Sequence, residues 1–142
     1  MNLDLDRCNR YLFFAKDVLP SEPIFVEVGS RTGIHAIALV KKFKSKIIVY
    51  EACKENYHSL NQAVSGSTIV THQLAVTGED GETDFFIFPQ ASSHSIYPRH
   101  TQEIGPRKTK MKLIQRIKVE STSIASISVS YTHLTLPTIL LV

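Results

Sequence analysis

The sequence predicts an α/β fold of the Rossmann-like kind: parallel strands alternating with helices, with an added antiparallel hairpin. Three observations predict it. Residues 24–28 and 47–50 are short, mostly apolar runs, the pattern of strands buried on both faces. Helically spaced apolar residues or a polar helix pattern follow each run. The first run ends in a glycine turn, E-V-G-S-R-T-G at 27–33, and strand, glycine turn and helix together form the opening unit of nucleotide-holding α/β sheets.

Taken in order, residues 4–19 place Leu5, Cys8, Tyr11, Leu12, Ala15 and Leu19 at helical spacing, predicting an amphipathic helix that ends before Pro20. Residues 24–28 form the first strand. From 33 to 44, Ile34, Ile37, Ala38 and Val40 make a helical face, and Lys41, Lys42 and Lys44 sit where they complement the helix dipole. The second strand, 47–50, delivers Glu51 to its carboxyl end. A second helix over 54–63 and a third strand over 68–76 complete an alternating order that favours a parallel sheet. Glu79, Asp80 and Gly81 then form a hairpin-type turn, and the aromatic run 83–88 predicts an antiparallel strand beyond it. Residues 91–112, with Pro98, Gly105 and Pro106, read as a long loop, a length that is usually functional or mobile. Strand patterning resumes over 113–120, and a helix is expected to begin within 121–127.

The domain reading is a lead-in over 1–22, a partial α/β domain over 23–127 and a tail over 128–142. The segment V-S-Y-T-H-L-T-L-P-T at 129–138 resembles the translation of a transposon adapter used in sequencing libraries, so the native sequence is expected to end near residue 127. The other reading of the tail is an ordinary strand, supported by Tyr131, Leu134, Leu136, Ile139 and Leu141. If the native sequence ends there, the sheet is expected to be truncated, with an apolar edge beside the first strand partly covered by the tail.

A chain of 142 residues with 43% hydrophobic content fits one domain. Its net charge of +3 does not by itself argue for nucleic acid or a membrane surface. Cys8 and Cys53 have neither metal-ligand spacing nor the number needed for a disulfide framework, which points to a reducing compartment and a cytoplasmic location. Neither a basic-then-apolar leader nor a membrane anchor is read: the apolar end, 134–142, is short and broken by Pro137. His35, His58, His72 and His100 show no metal spacing, so no metal is expected.

The turn itself narrows the ligand. A dinucleotide fingerprint needs a second glycine to admit the pyrophosphate, and Arg31 occupies that place. The lysine and hydroxyl of a P-loop are also missing, because Ile34 and His35 follow Gly33. A nucleoside ligand without a pyrophosphate remains. Glu51, about twenty residues after the turn, is placed to accept hydrogen bonds from both ribose hydroxyls. Glu27, a carboxylate on an apolar strand, must find donors, either backbone N–H groups or a ligand ammonium.

The segments E-V-G-S-R-T-G-I-H-A-I-A-L, V-Y-E-A-C-K-E-N, L-A-V-T-G-E-D-G-E-T-D-F-F and A-S-S-H-S together resemble the FkbM-type family of S-adenosylmethionine-dependent methyltransferases over residues 20–127. The resemblance implies a class I methyltransferase fold with S-adenosylmethionine as cofactor. It implies methyl transfer to a hydroxyl of a sugar or small metabolite. The family's first motif, D-x-G-A-N-x-G, falls on Glu27, Gly29, Ser30, Arg31 and Gly33, with Glu in place of Asp and Ser-Arg in place of Ala-Asn. Its E-P pair falls on Glu51 and Ala52. These seven residues are the implied cofactor contacts. A further strand of the type K-I-D-V-E-G follows the matched region in the family and has no counterpart here, so no catalytic residue is assigned and the fragment is expected to be inactive.

A second reading keeps the sheet but makes the chain a non-catalytic module gripping an anionic glycan or nucleic acid. Its carriers would be Arg99, Arg107, Lys108, Lys110, Lys112, Arg116 and Lys118. Only Tyr97 interleaves with them, which supports base stacking poorly and makes nucleic acid the weaker partner. His94, among serines, reads as a loop residue rather than a base.

Overall fold

The computed structural model describes residues 21–98 and 112–131, together with the backbone pairing of residues 5–7, 13–15 and 139–140. Its centre is a parallel sheet built on β3 (Phe25–Val28) and β4 (Ile47–Tyr50), which pair Phe25 with Ile47 through Val28 with Tyr50. All four residues of β4 are buried, as expected for a strand covered on both faces. β5 (Ile69–His72) extends the sheet beyond β4, and β9 (Ile139–Leu140) lies parallel to β3 on the other side, giving the order β5-β4-β3-β9.

Helices cover both faces. α1 (Ile34–Phe43) and α2 (Lys54–Ala63) pack Ala36, Leu39 and Leu60 against Phe25, Ile47 and Val49. On the opposite face Ile127 of α3 (Ile124–Ser130) meets Val26, Ile48 and Tyr50. The period-two alternation of the strands sorts their side chains between these two layers. Full burial of each large side chain contributes about 1.5–3 kcal/mol. α1 ends at Lys44, whose left-handed backbone (φ 52°) turns its N–H onto the Val40 carbonyl at 2.9 Å, with Lys41 and Lys42 in the last turn. The chain is therefore α/β, with a parallel sheet between helices.

A second, mixed sheet is formed by β6 (Ala75–Thr77), β7 (Gly81–Ile87) and β8 (Gln115–Ser123), in the order β6-β8-β7. Two expectations change here. The run 68–76 is two strands on two sheets, because its first half pairs with β4 and its second half with β8. The turn at 79–81 does not close a hairpin between neighbouring strands: β8 lies between β6 and β7, parallel to the first and antiparallel to the second. The antiparallel partner of β7 is reached through the long connection after residue 87. Asp80 is tied to this arrangement: its carboxylate accepts from the Ser123 N–H at 2.6 Å and joins the turn to the end of β8.

A third correction concerns residues 4–19. Where a helix was expected, β1 (Leu5–Arg7) and β2 (Phe13–Ala15) pair antiparallel, Leu5 opposite Ala15. The spacing of apolar residues suits a helix, but Leu12, Phe13 and Phe14 are consecutive, and adjacent aromatics favour a paired strand. Among the described residues, no helix is long and apolar enough to cross a membrane.

Candidate functional site

The carboxyl ends of β3 and β4 open onto a cavity of about 340 Å³. Val28, Gly29 and Arg31 bound it from the first turn, and Tyr50, Glu51 and Ala52 from the end of β4. Asn56 of α2 lies beside them, and the far wall is made by residues 74–76, Phe85 and the loop carrying His94. This is the crevice in which open α/β sheets bind ligands.

Glu51 organises the near wall. It is only 4% exposed, yet both carboxylate oxygens are satisfied by backbone: Arg31 N–H donates to Oε2 and Cys53 N–H to Oε1, each at 2.9 Å. One side chain thus joins the turn after β3 to the turn before α2. Arg31 needs that hold, because its φ of 53° lies in the left-handed region, where a non-glycine residue costs about 1–2 kcal/mol. A carboxylate has about four acceptor positions. Two are used here, and the residue still lines the cavity. Glu51 is thus a buried, backbone-held carboxylate rather than a solvated strand end.

The glycines divide their work. A Cβ on Gly29 (φ 76°) would meet nothing within 4 Å, so that position leaves the cavity wall open. A Cβ on Gly33 (φ 71°) would stand 2.8 Å from Leu60 Cδ1 and 3.0 Å from Val64 Cγ1. Gly33 therefore serves the close approach of the turn to α2 and does not line the cavity.

Glu27 and Ser30 lie behind the wall. Glu27 is 1% exposed, with Oε1 3.4 Å from His35 Nδ1. Burial pushes its carboxyl above the usual range, while the neighbouring Ser30 hydroxyl, the His35 ring and the Ala36 N–H draw it part of the way back. Among the described residues, neither Glu27 Oε2 nor Ser30 Oγ reaches a partner at hydrogen-bond geometry. Of the seven residues singled out from sequence, Gly29, Arg31, Glu51 and Ala52 line the cavity, whereas Glu27, Ser30 and Gly33 do not.

Sequence reasoning missed Tyr50, Asn56 and the far wall. Tyr50 stacks on His72 with ring centroids 5.0 Å apart, and burial, with Tyr131 adding to it, pushes its phenol up to about 12. It is a neutral wall rather than a base. The far wall is built by the chain folding back after β7: a 3-10 turn at Ala91–Ser93 is followed by an isolated bridge in which Phe86 and Ser95 exchange backbone hydrogen bonds at 2.8 and 3.1 Å. Asn56 Nδ2 donates to the Ala91 carbonyl at 3.5 Å. No local pattern announces such a bridge, although a small-residue run between two β-prone segments marks a turn.

Of the basic run, Arg99, Arg107, Lys108 and Lys110 lie outside the described residues. Arg116 and Lys118 both pair with Asp84, Lys118 Nζ at 3.2 Å from Oδ1, so the single carboxylate answers one of their two charges within the sheet. Among the described residues no three His, Cys, Asp or Glu side chains are grouped as a metal ion would require.

No family model, curated protein or solved structure matches this chain.

Proposed function

We propose that this chain carries the nucleoside-holding half of an S-adenosylmethionine-dependent methyltransferase of class I, which in the intact enzyme methylates a hydroxyl of a sugar or small metabolite. The observation that supports this most is Glu51: a buried carboxylate at the end of the second strand, positioned by two backbone donors and still lining a cavity beside a glycine turn that lacks the pyrophosphate-admitting glycine. The residues fit the cofactor's chemistry. Glu51 retains acceptor capacity for the ribose hydroxyls, Gly29 leaves its wall free of a side chain, and Arg31 offers a guanidinium to a carboxylate. When bound, the cofactor supplies an electrophilic methyl group on sulfur. The chain's part is to hold that donor in line for displacement, where positioning provides most of the rate. Tyr50 stays protonated on the near wall.

Calorimetry with S-adenosylhomocysteine on residues 1–142 tests the reading. Binding is expected, and Glu51→Ala should weaken it by roughly 10- to 100-fold, the effect of about 1.5–3 kcal/mol for hydrogen bonds to a charged group. No heat with the wild-type chain, together with salt-sensitive binding to heparin, would replace this reading with that of an anion-binding module.

A further inference from the structure

His94 sits on the far wall of the cavity, opposite the turn that Glu51 braces. Its ring is oriented by two contacts. Phe88 N–H donates to Nδ1 at 3.2 Å, and the ring meets the Phe85 ring edge-on, with centroids 6.2 Å apart and planes at 74°. The segment that carries it is held at both ends, by the Phe86–Ser95 backbone pair and by the Asn56 contact to Ala91. A ring nitrogen that accepts a hydrogen bond bears no proton, so in the neutral imidazole the proton lies on Nε2. The single lone pair of the neutral ring is already used on backbone. His94 therefore has a donor to offer the cavity and no free lone pair with which to act as a base.

The surroundings say what such a donor would meet. The near wall supplies acceptors at Glu51, suited to hydroxyl groups. The far wall combines the apolar surfaces of Phe85, Leu74 and Ile96 with His94 and with Ser95, whose hydroxyl oxygen already accepts the Tyr97 N–H at 3.0 Å. A largely apolar wall bearing an imidazole whose other nitrogen is held by backbone suits a flat heteroaromatic ring that carries an acceptor nitrogen at its edge. We infer that His94 Nε2–H is a specificity residue that reads an acceptor nitrogen on the purine of the bound nucleoside, an assignment that rests on the proposed function above. It distinguishes a purine from a ring with carbon at the same place.

Two measurements on the full chain test this. Nitrogen-15 NMR of the histidine side chains, at a pH where the imidazoles are neutral, should show His94 with an unprotonated Nδ1 and a protonated Nε2; the opposite tautomer overturns the inference. Calorimetry then compares S-adenosylhomocysteine with its 1-deaza, 3-deaza and 7-deaza forms on the wild type, His94→Gln and His94→Asn. Gln can still present a donor near the Nε2 position and should bind within about threefold of wild type, whereas Asn, whose amide lies nearer the Nδ1 position, should lose about tenfold, the effect of one hydrogen bond of roughly 1.4 kcal/mol. One deaza form should lose a similar factor on wild type and almost nothing further on His94→Asn. If the parent compound binds wild type but neither the variants nor the deaza forms differ, the His94 assignment fails and the proposed function stands. If the parent compound does not bind at all, the proposed function fails and the purine assignment with it.

Discussion

The backbone N–H of Arg31 donates to Glu51 Oε2 at 2.9 Å, joining two turns that lie 20 residues apart. Because the same carboxylate also takes the Cys53 N–H, it is a structural brace as well as a candidate ligand group. Glu51→Gln turns one acceptor into a donor that must face a backbone N–H. A loss of about 2 kcal/mol is expected, read as a lower midpoint in urea denaturation. A midpoint equal to wild type would show that the brace carries no stability.

Alanine at the two glycines of the turn should separate backbone strain from packing. Gly29→Ala meets only open space and should cost about 1–2 kcal/mol for its left-handed backbone. Gly33→Ala adds a collision with Leu60 and Val64, and overpacking contributes a further 1–3 kcal/mol or so. Equal losses for the two variants, measured by thermal melting, would contradict the close approach of this turn to α2.

Glu27 makes a pH prediction with a definite sign. Burial raises its folded-state carboxyl above the ordinary value of 4.5, so over that window the folded chain holds the proton more tightly than the unfolded chain. Its contribution to stability is present below 4.5 and is lost as pH rises through the raised value. Glu27→Gln should therefore be more stable than wild type at pH 7, with the advantage shrinking towards pH 4. Denaturation of both proteins at the two pH values is the check, and a constant difference would be the contrary result.

Asp80 makes the opposite prediction. Hydrogen bonds from the Ser126 hydroxyl, the Ser123 N–H and neighbouring hydroxyls hold its carboxyl below the usual 3.8. Its stabilising effect is present above that value and disappears as pH falls through the lowered one. Ser123 itself caps α3 by accepting from the Ser126 N–H at 3.0 Å. Asp80→Ala should loosen this cap, seen as faster amide exchange at Ser126 and in the first turn of α3. Unchanged exchange there would place the helix start under other control.

The parts of the fold legible in sequence are those governed by local pattern. β4 and α2 have the expected bounds, 47–50 and 54–63, because an uninterrupted apolar run and a helix with Glu55 in its first turn are both short-range signals. That Gly29, Arg31 and Glu51 lie together was also readable, since a strand end and a glycine turn converge on one crevice; Ala52, named through the resemblance, lines the same cavity. What escaped were pairings between distant residues. Nothing in residues 75–87 indicates that a strand from 115–123 will come between them. Nothing near Phe86 announces its pairing with Ser95, so the wall bearing His94 was read as plain loop. Over residues 4–19 one pattern served two structures, and the aromatic pair Phe13–Phe14 was the signal underweighted.

The run from β5 to β6 crosses from one sheet to the other with only residues 73 and 74 between. So short a join cannot let one sheet melt while the other keeps its register. Loss of the parallel sheet would drag β6 from β8, and separation of β6 would pull on His72, whose carbonyl holds the Glu51 N–H at 3.0 Å. The two walls of the cavity are thereby tethered through one short join, and matched amide-exchange rates in β5 and β6 are the expected sign of their coupling.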